Sequence, residues 1–269
     1  MDLGKYAEVD AAIAYIHQHL YEPIELSQLA DHVSYSKYHF ARIFKERTGL
    51  SPLYYISALR LQKAKDLLLT TNLTIRDIGL EIGQQSVGTF STRFIERVGM
   101  SPARFRQSRE SAGTTLGSLQ ALEDWQERLV SVDPAARLTG TIRTEAPFEG
   151  VILIGLFPRP IPEGVPLYGT LVNTSSFCFT GVKPGTYYLM ATTISWGTGA
   201  LDLLMPRSTL RTRSRTPIVV RPGVPSPPLE ITLHPPRLDD PPILISLPLL
   251  MERFMSRMHG ASQLSGRQP

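Results

Sequence analysis

The sequence repeats itself at a spacing of fifty residues, and this repeat constrains the fold more than any other feature. Residues 36–52 align with residues 86–102, and eight of the aligned positions carry the same residue. The identities are the first Ser, both Phe, a Glu-Arg pair, a Gly and the closing Ser-Pro. An internal repeat indicates one structural unit used twice. The first part of the chain is therefore predicted to hold two copies of one small fold.

Each copy has the pattern of a helix with a defined beginning and end. Ser36 suits an N-cap, Phe40 and Phe44 place two rings on one face, and Gly49 suits a C-terminal cap. The same residue types recur fifty positions later, from Ser86 to Gly99. Polar and basic residues between these positions are expected on the outer face of the helix.

A shorter helix is predicted before each copy, over Leu26–His32 and Ile75–Gly83. A short helix, a tight turn and a second helix form a helix-turn-helix, so the chain has two of these units. Pro52–Thr70 is predicted as a long helix between them, because its apolar residues recur near the helical period. A helix that fixes the relative pose of the two units suits two successive major grooves of DNA, about 34–36 Å apart.

Proline separates two regions of different secondary structure. Residues 1–110 hold three of the 22 prolines, so this region can be helical, whereas the rest is expected to form strands and turns. Short strands are predicted over Leu138–Arg143, Gly150–Leu156, Ser176–Phe179, Tyr187–Thr193, Pro217–Arg221 and Leu229–Leu233. The predicted fold class is multidomain α plus β, with an all-α double helix-turn-helix domain followed by an all-β sandwich.

The same patterns predict four regions along the chain. The double helix-turn-helix domain covers residues 1–110, and a linker helix with apolar residues at helical spacing covers 111–133. The sandwich covers 134–258, and a disordered tail covers 259–269.

Positive charge is concentrated in the first helix-turn-helix unit, although the net charge is only +4. The segment Ser36–Lys65 holds seven Lys and Arg residues against Glu46 alone. A local basic block of this kind favours a polyanionic partner.

Several segments also carry a family signature. In the second unit these are Ile75 to Gly83, Phe90 to Phe94 and Gly99 to Arg106, and in the first unit the signature runs from Leu29 to Gly49. On these residues, positions 8–107 resemble the DNA-binding domain of the AraC/XylS transcription regulators. The resemblance implies sequence-specific transcription regulation, with double-stranded DNA and RNA polymerase as partners. Many family members place this domain last, behind a ligand-binding domain of another fold, so their inducers and dimerisation modes do not carry over.

The resemblance also implies which side chains contact bases. The positions of Tyr38 and Arg42 are those from which the family reads base edges, and an Arg guanidinium can pair with guanine O6 and N7. In the second unit the candidate base contacts are Thr89, Thr92 and Arg93.

Other basic residues are expected to contact phosphates, which adds affinity without sequence preference. The predicted phosphate contacts are Lys37, Lys45, Arg47, Arg97, Arg104 and Arg106. The alternative for these residues is a solvated basic face. Because Gly88 supplies no side chain at a reading position, we expect the first helix to give most of the sequence specificity and the second mainly to anchor.

The second half contains a further resemblance. The segment from Phe179 to Leu189, with a turn at Pro184-Gly185, is similar to the F-x-G-V-x-P-G-x-Y-x-L element of transthyretin-like and carboxypeptidase-regulatory-like sandwiches. Such folds serve many functions. The sandwich is predicted to sense an unknown small-molecule effector or to join two chains in a homodimer. The alternative is a DNA-tethered enzyme or a carbohydrate-recognition protein.

We predict that the protein is not an enzyme and has no catalytic, cofactor-binding or metal-binding residues. The six histidines include no pair with the spacing of a metal site, and Cys178 is expected in a strand core. A single cysteine, an acidic N-terminus unlike a signal peptide and the lack of a long apolar run predict a cytoplasmic protein that does not contact membranes.

Overall fold

The chain forms two compact units in the computed structural model, which describes residues 6–84, 86–122, 125 and 136–265, with side chains as far as Met258. Unit 1 comprises Met1–Arg106, Ile161–Gly164 and Arg237–Ile245. Unit 2 comprises Gln107–Pro160, Val165–Pro236 and Ser246–Pro269. Within the described residues, no helix has the length and apolar character needed to cross a membrane.

Unit 1 is helical, as the distribution of proline predicts. Its helices are α1 (Ala7–Gln18), α2 (Leu26–His32), α3 (Lys37–Thr48), α4 (Pro52–Thr70), α5 (Ile75–Glu81), α6 (Val87–Val98) and the beginning of α7 (Pro102–Gln120). The pairs α2–α3 and α5–α6 are the two predicted helix-turn-helix units, and α4 joins them. We call α3 and α6 the repeat helices.

The predicted caps begin and end both repeat helices. The hydroxyl of Ser36 accepts a hydrogen bond from the backbone N–H three residues later at 3.4 Å, and that of Ser86 does the same at 3.5 Å. Gly49 and Gly99 follow the helices with φ values of 79° and 92°, in the left-handed region that favours glycine. The repeat therefore fixes the length of each helix as well as its position.

Three aromatic rings hold each repeat helix in its unit. In the first unit the Phe44 ring lies 5.5 Å from both Phe40 and Tyr55, between ring centroids. The second unit has the same arrangement fifty residues later, in Phe90, Phe94 and Phe105, with centroids 5.7 and 5.6 Å apart. All six rings are buried. Ring contacts of this kind stabilise beyond simple burial of area.

Two short segments from the second half of the sequence complete unit 1. They bond to each other, because the N–H groups of Leu244 and Ile245 donate to the carbonyl of Pro162 at 3.0 and 3.1 Å. The Gly164 N–H also donates to the carbonyl of Arg97, at the end of α6, at 2.7 Å. The sequence pattern placed both segments in the sandwich region 134–258, whereas the compact units place them with the helices.

One of these segments covers Lys65, which the helical pattern of α4 places among its polar positions. Lys65 is fully buried, and its Nζ donates a hydrogen bond to the carbonyl of Ile243 at 3.1 Å. The same Nζ lies 5.3 Å from the centroid of the Phe105 ring. Burial lowers the pKa of Lys65 from 10.5 to about 7.

Unit 2 contains two β-sheets, which confirms the predicted α plus β fold class. The strands are β1 (Leu138–Thr144), β2 (Gly150–Phe157), β3 (Tyr168–Val172), β4 (Ser176–Phe179), β5 (Gly185–Ser195), β6 (Arg211–Arg213), β7 (Ile218–Val220) and β8 (Leu229–Leu233). One sheet has the order β4-β1-β8, and the other has the order β3-β2-β5-β6 with β7 also paired to β5. Buried side chains from both sheets, such as Leu138, Ile154 and Leu189, form one core.

The structure differs from the sequence prediction at several elements of unit 2. Strands β3 and β6 and the short helix α8 (Ala200–Leu204) were not predicted, because β3 contains a glycine and β6 is a polar Arg-Thr-Arg. The linker helix predicted over 111–133 is not separate, since α7 runs without a break to Gln120; residues 123–124 and 126–133 lie outside the described residues. Helix α9 (Leu247–Ser265) continues into the region predicted as a disordered tail.

Replacing Lys65 with Met should remove a pH dependence of stability. Because the folded-state pKa of Lys65 lies below its unfolded value, the unfolded chain holds more protons between pH 7 and 10, and stability rises with pH there. The free energy of unfolding of the wild type should rise relative to Lys65→Met by about 1 kcal/mol per pH unit across this range. Urea denaturation at a series of pH values measures it.

The matched control is Lys63→Met, on the same helix. Lys63 is half-buried and its Nζ lies 3.4 Å from Asp66, so its removal should not reproduce this slope. A difference between wild type and Lys65→Met that stays constant with pH would contradict the lowered pKa.

Candidate nucleic-acid interface

Repeat helix α3 has an exposed face that is basic and aromatic. Lys37, Tyr38, Arg42 and Lys45 are all exposed on it, and Tyr38 reaches 92% exposure. A tyrosine at this exposure is not held in place by packing within the protein. The ring and hydroxyl are therefore available to a partner.

Arg42 makes two contacts within its own helix. Its Nη2 lies 3.3 Å from Nδ1 of His39, and its Nη1 lies 3.8 Å from a carboxylate oxygen of Glu46. The Arg42 side chain is 66% exposed and that of Glu46 is 40% exposed. Exposed pairs at this spacing contribute only about 0.3–0.5 kcal/mol, so the guanidinium can exchange them for a stronger bidentate contact.

Repeat helix α6 presents a different outer face. Thr89, Thr92 and Arg93 are exposed, as is Val87 at the first position of the helix. The Arg93 guanidinium donates to the side-chain oxygen of Gln84, in the turn before the helix, at 3.0 Å. This face carries less charge and shorter side chains than the face of α3.

Arg97, which we predicted as a phosphate contact, lies in the interior of unit 1. It is 8% exposed, and its Nε is 2.5 Å from a carboxylate oxygen of Glu163. Its Nη1 donates to Ser57 Oγ at 3.0 Å, and its guanidinium carbon lies 4.5 Å from the centroid of the Tyr54 ring. The Tyr54 hydroxyl donates to the other carboxylate oxygen of Glu163. A guanidinium held in this way does not reach a phosphate, so that prediction is corrected.

Arg47 is also directed inward, which corrects its prediction as a phosphate contact. Its side chain is 22% exposed, with Nη2 3.4 Å from Asp10 and Nη1 3.6 Å from Asp239. The guanidinium carbon lies 5.2 Å from the centroid of the Tyr6 ring. Two carboxylates already neutralise its charge.

Arg106 is half-buried and binds backbone carbonyls in the last turn of α4 and just after it, and its role as a phosphate contact stays a prediction. Its Nε donates to the carbonyl of Leu68 at 3.2 Å, and its Nη2 donates to that of Leu73 at 2.5 Å. The last carbonyls of a helix have no intrahelical partner, and a basic side chain is a common substitute.

The sequence spacing could have predicted that Arg47 and Arg97 are buried. Arg47 lies seven residues after Phe40, and Arg97 lies seven residues after Phe90. Positions i, i+4 and i+7 share one face of a helix, so each arginine continues the buried stripe of its two phenylalanines. No comparable pattern identifies their partners Glu163 and Asp239, which lie far away in the sequence.

Three predicted phosphate contacts remain exposed. Lys37 and Lys45 lie on α3, and Arg104 lies near the beginning of α7. These residues stay predictions.

Other groups with reactive chemistry are sparse in the described residues. Within the described ranges, no three His, Cys, Asp or Glu side chains lie close enough together to hold a metal ion. Cys178 lies in β4 and is half-buried, so it is less enclosed than a core position predicts.

Known proteins are similar to the region that contains the two helix-turn-helix units. A family model described as a helix-turn-helix domain matches residues 29–108. The HTH-type transcriptional regulator YobQ of Bacillus subtilis is 37% identical over 98 residues, which cover 36% of this chain and 41% of YobQ. The transcriptional regulator Rob of Salmonella typhimurium is 36% identical over 98 residues, 36% of this chain and 34% of Rob. Residues 29–108 of this chain are therefore similar to the helix-turn-helix domains of transcriptional regulators.

A further relative combines two activities in its name. The bifunctional transcriptional activator and DNA repair enzyme AdaA of Bacillus subtilis is 36% identical over 110 residues, which cover 41% of this chain and 52% of AdaA. This chain therefore spans about half the length, or less, of these three relatives.

Solved structures of DNA-binding domains also resemble part of this chain. A regulator from Chromobacterium violaceum with an AraC-type DNA-binding domain is 28% identical and covers 39% of this chain and 95% of its own, with a TM-score of 0.38. The DNA-binding domain of AdpA, solved in complex with a target DNA, is 26% identical and covers 39% of this chain and 94% of its own, with a TM-score of 0.37.

Replacing Arg97 with Met should destabilise unit 1 strongly. Glu163 would remain buried without its counter-charge, which typically costs about 3–5 kcal/mol in the free energy of unfolding. Chemical denaturation followed by circular dichroism measures this loss. The control is Arg143→Met, because Arg143 and Glu230 are 4.0 Å apart with side chains 75% and 76% exposed. That change should cost less than about 1 kcal/mol, and equal losses for the two variants would contradict the burial of the Arg97 pair.

Proposed function

We propose that this protein is a sequence-specific transcription regulator that places α3 and α6 in two successive major grooves of double-stranded DNA. One observation carries the proposal: a capped helix-turn-helix unit of AraC type exposes Tyr38 and Arg42 on the outer face of its second helix. The buried rings behind this face fix which residues point outward.

Helix α3 supplies most of the sequence readout in this proposal. Arg42 pairs with guanine O6 and N7 after exchanging its weak contacts with His39 and Glu46. Tyr38 contacts a neighbouring base with its exposed ring or hydroxyl. Lys37 and Lys45, at the two ends of the same helix, neutralise phosphates on either side of the groove.

Helix α6 mainly anchors the second unit. Thr89 and Thr92 offer methyl groups to thymine, and Arg93 reaches a base edge or the backbone after leaving Gln84. Arg104 adds a phosphate contact from α7.

Gly88 favours a close approach of DNA to the beginning of α6. A Cβ atom built at Gly88 would meet only the Ser86 hydroxyl, at 3.7 Å, so the fold itself does not require glycine there. The backbone N–H groups of the first helical turn have no intrahelical partner and bind phosphate well. A side chain at position 88 would hold the phosphate away from them.

The two-sheet region is proposed to act as a sensor for a small-molecule effector or as the contact between two chains of a homodimer. Its core, built from both sheets, agrees with a transthyretin-like or carboxypeptidase-regulatory-like sandwich. RNA polymerase is the partner through which a bound regulator would act. We further propose that the protein works in the cytoplasm and that its role is regulatory rather than enzymatic.

Selection of bound sequences from a random DNA pool, with the full chain, tests the proposed function. An enriched motif long enough to span two major grooves is expected, with its best-defined bases at the part contacted by α3. A selection that enriches no motif would contradict DNA-sequence recognition.

The selected site then separates base readout from phosphate contact. Arg42→Ala should weaken the selected site by about 1–3 kcal/mol while leaving random DNA almost unchanged. Lys45→Ala should weaken both by a similar factor and make the salt dependence of binding shallower by about one phosphate contact. Fluorescence anisotropy titrations measure both variants. Equal losses on selected and random DNA for Arg42→Ala would contradict base readout by Arg42.

Gly88→Ala should lower the affinity for DNA without lowering the stability of the protein. The substitution should leave the thermal midpoint unchanged or slightly higher, since alanine is the better helix former by up to about 1 kcal/mol. Affinity for the selected site should fall, because the added methyl group stands between the helix and the phosphate. The matched control is Gly113→Ala in α7, an exposed helical glycine with no proposed DNA contact, where an added Cβ would meet nothing within 4 Å; its affinity should equal that of the wild type. Unchanged affinity for Gly88→Ala would contradict a backbone contact at this point.

A further inference from the structure

We propose that Glu163 and Asp239 are positioning residues that fix the two repeat helices relative to each other for a two-groove site. The inference rests on the proposed DNA-binding function and adds the chain's own later segments to it. Both carboxylates come from the parts of unit 1 that lie outside the helix-turn-helix match, in Ile161–Gly164 and Arg237–Ile245.

The two carboxylates bind equivalent positions of the repeat. Arg47 near the end of α3 and Arg97 near the end of α6 are fifty residues apart and belong to the repeated Glu-Arg pair. Arg47 lies 3.6 Å from Asp239, and Arg97 lies 2.5 Å from Glu163. Each repeat helix is therefore held at the same point by an acid from a later segment.

Both carboxylates are buried, so each must keep its arginine partner. The side chain of Asp239 is 2% exposed and that of Glu163 is 8% exposed. A carboxylate removed from water requires its counter-charge and hydrogen bonds in place, because an unpaired buried charge costs several kcal/mol. The arginines therefore cannot move away from these acids independently.

The two segments are also joined to each other. The N–H groups of Leu244 and Ile245 donate to the carbonyl of Pro162, one residue before Glu163. A continuous set of contacts therefore links the two repeat helices. It runs from Arg47 to Asp239, along Arg237–Ile245 to the carbonyl of Pro162, and through Glu163 to Arg97.

Helix α4, which connects the two helix-turn-helix units, takes part in the same network. Tyr54 donates to Glu163 and stacks its ring on Arg97, and Ser57 accepts from Arg97. Gly164 is required at this point, because it has φ of +64° and a Cβ there would lie 2.9 Å from the carbonyl of Glu96. The segment Ile161–Gly164 therefore sits tightly between the end of α6 and the connecting helix.

A fixed pose matters for a site that spans two grooves. Binding of the second helix is intramolecular once the first is bound, and its contribution depends on whether the geometry matches the DNA. One inserted base pair turns the second part of the site by about 35°. A rigid protein should reject such a change, whereas a protein with loosened helices should tolerate it at a lower affinity for the native spacing.

The experiment measures binding of the full chain to the selected site and to versions with one base pair inserted or removed between the two parts. Glu163→Gln and Asp239→Asn remove each charge while keeping the shape of the side chain. We expect each variant to lose about tenfold in affinity at the native spacing and to discriminate less between spacings than the wild type. Glu230→Gln is the matched control, since it removes an exposed carboxylate in β8, and its spacing profile should equal that of the wild type.

A purely structural role predicts a different result. If the variants only reduced the folded fraction, all duplexes would weaken by the same factor and the spacing profile would keep its shape. An unchanged profile in both variants overturns the positioning role. If Glu163→Gln fails to fold, Tyr54→Phe replaces it, because it removes one hydrogen bond to Glu163 and keeps the ring on Arg97. If Asp239→Asn fails to fold, Tyr55→Phe replaces it, because it removes the hydrogen bond to the carbonyl of Leu238, the residue before Asp239, and keeps the buried ring. In either case a flatter profile supports the proposal and an unchanged one overturns it.

The outcomes also separate this inference from the proposed function. A wild type that enriches no DNA sequence contradicts the proposed function, and the positioning role falls with it. A wild type with a clear motif, whose spacing profile is the same in all variants, contradicts the positioning role alone.

Discussion

The contact of three buried rings behind each repeat helix is the constraint on which the rest of unit 1 depends. Because Phe40, Phe44 and Tyr55 pack with their edges and faces against each other, α3 cannot rotate without losing buried aromatic area. The equivalent rings behind α6 impose the same limit. The rotation of each helix about its axis decides which side chains face outward. The packing of the core therefore determines which residues are exposed to a binding partner.

The basic charge of the helix-turn-helix region, residues 29–108, is more localised than its sequence indicates. Arg47 is neutralised by Asp10 and Asp239, and Arg60 donates to the carbonyls of Leu20 and Glu22. Lys65 is buried, and burial lowers its pKa to about 7. Lys37, Arg42 and Lys45 stay exposed on the outer face of α3, whereas Arg76, Arg93 and Arg104 are exposed singly on other helices. The largest group of exposed basic side chains on one helix of unit 1, within the described residues, is therefore that of α3.

Local sequence patterns predicted the helices of the two helix-turn-helix units and their caps. Each of these features depends on residues that are close together in the sequence. Ser36, Gly49 and their repeats carry this information in their own chemistry. The exposed candidates Tyr38 and Arg42 followed from the same periodicity. The partners of Arg47 and Arg97 did not, because Asp239 and Glu163 join them through tertiary folding across long stretches of sequence. Strand β6 was missed for a related reason, since pairing with β5 rather than apolar alternation defines it.

The interleaved order of unit 1 has a consequence for biosynthesis. Its helices are complete once residue 106 has been made, yet the carbonyl that caps Lys65 and the acid that binds Arg47 arrive only with Arg237–Ile245. Contacts of such high sequence separation form late, after the intervening chain has closed its loop. On the ribosome, unit 1 is completed only after residue 245 has emerged. A product truncated before residue 237 would carry the repeat helices without the groups that complete their unit.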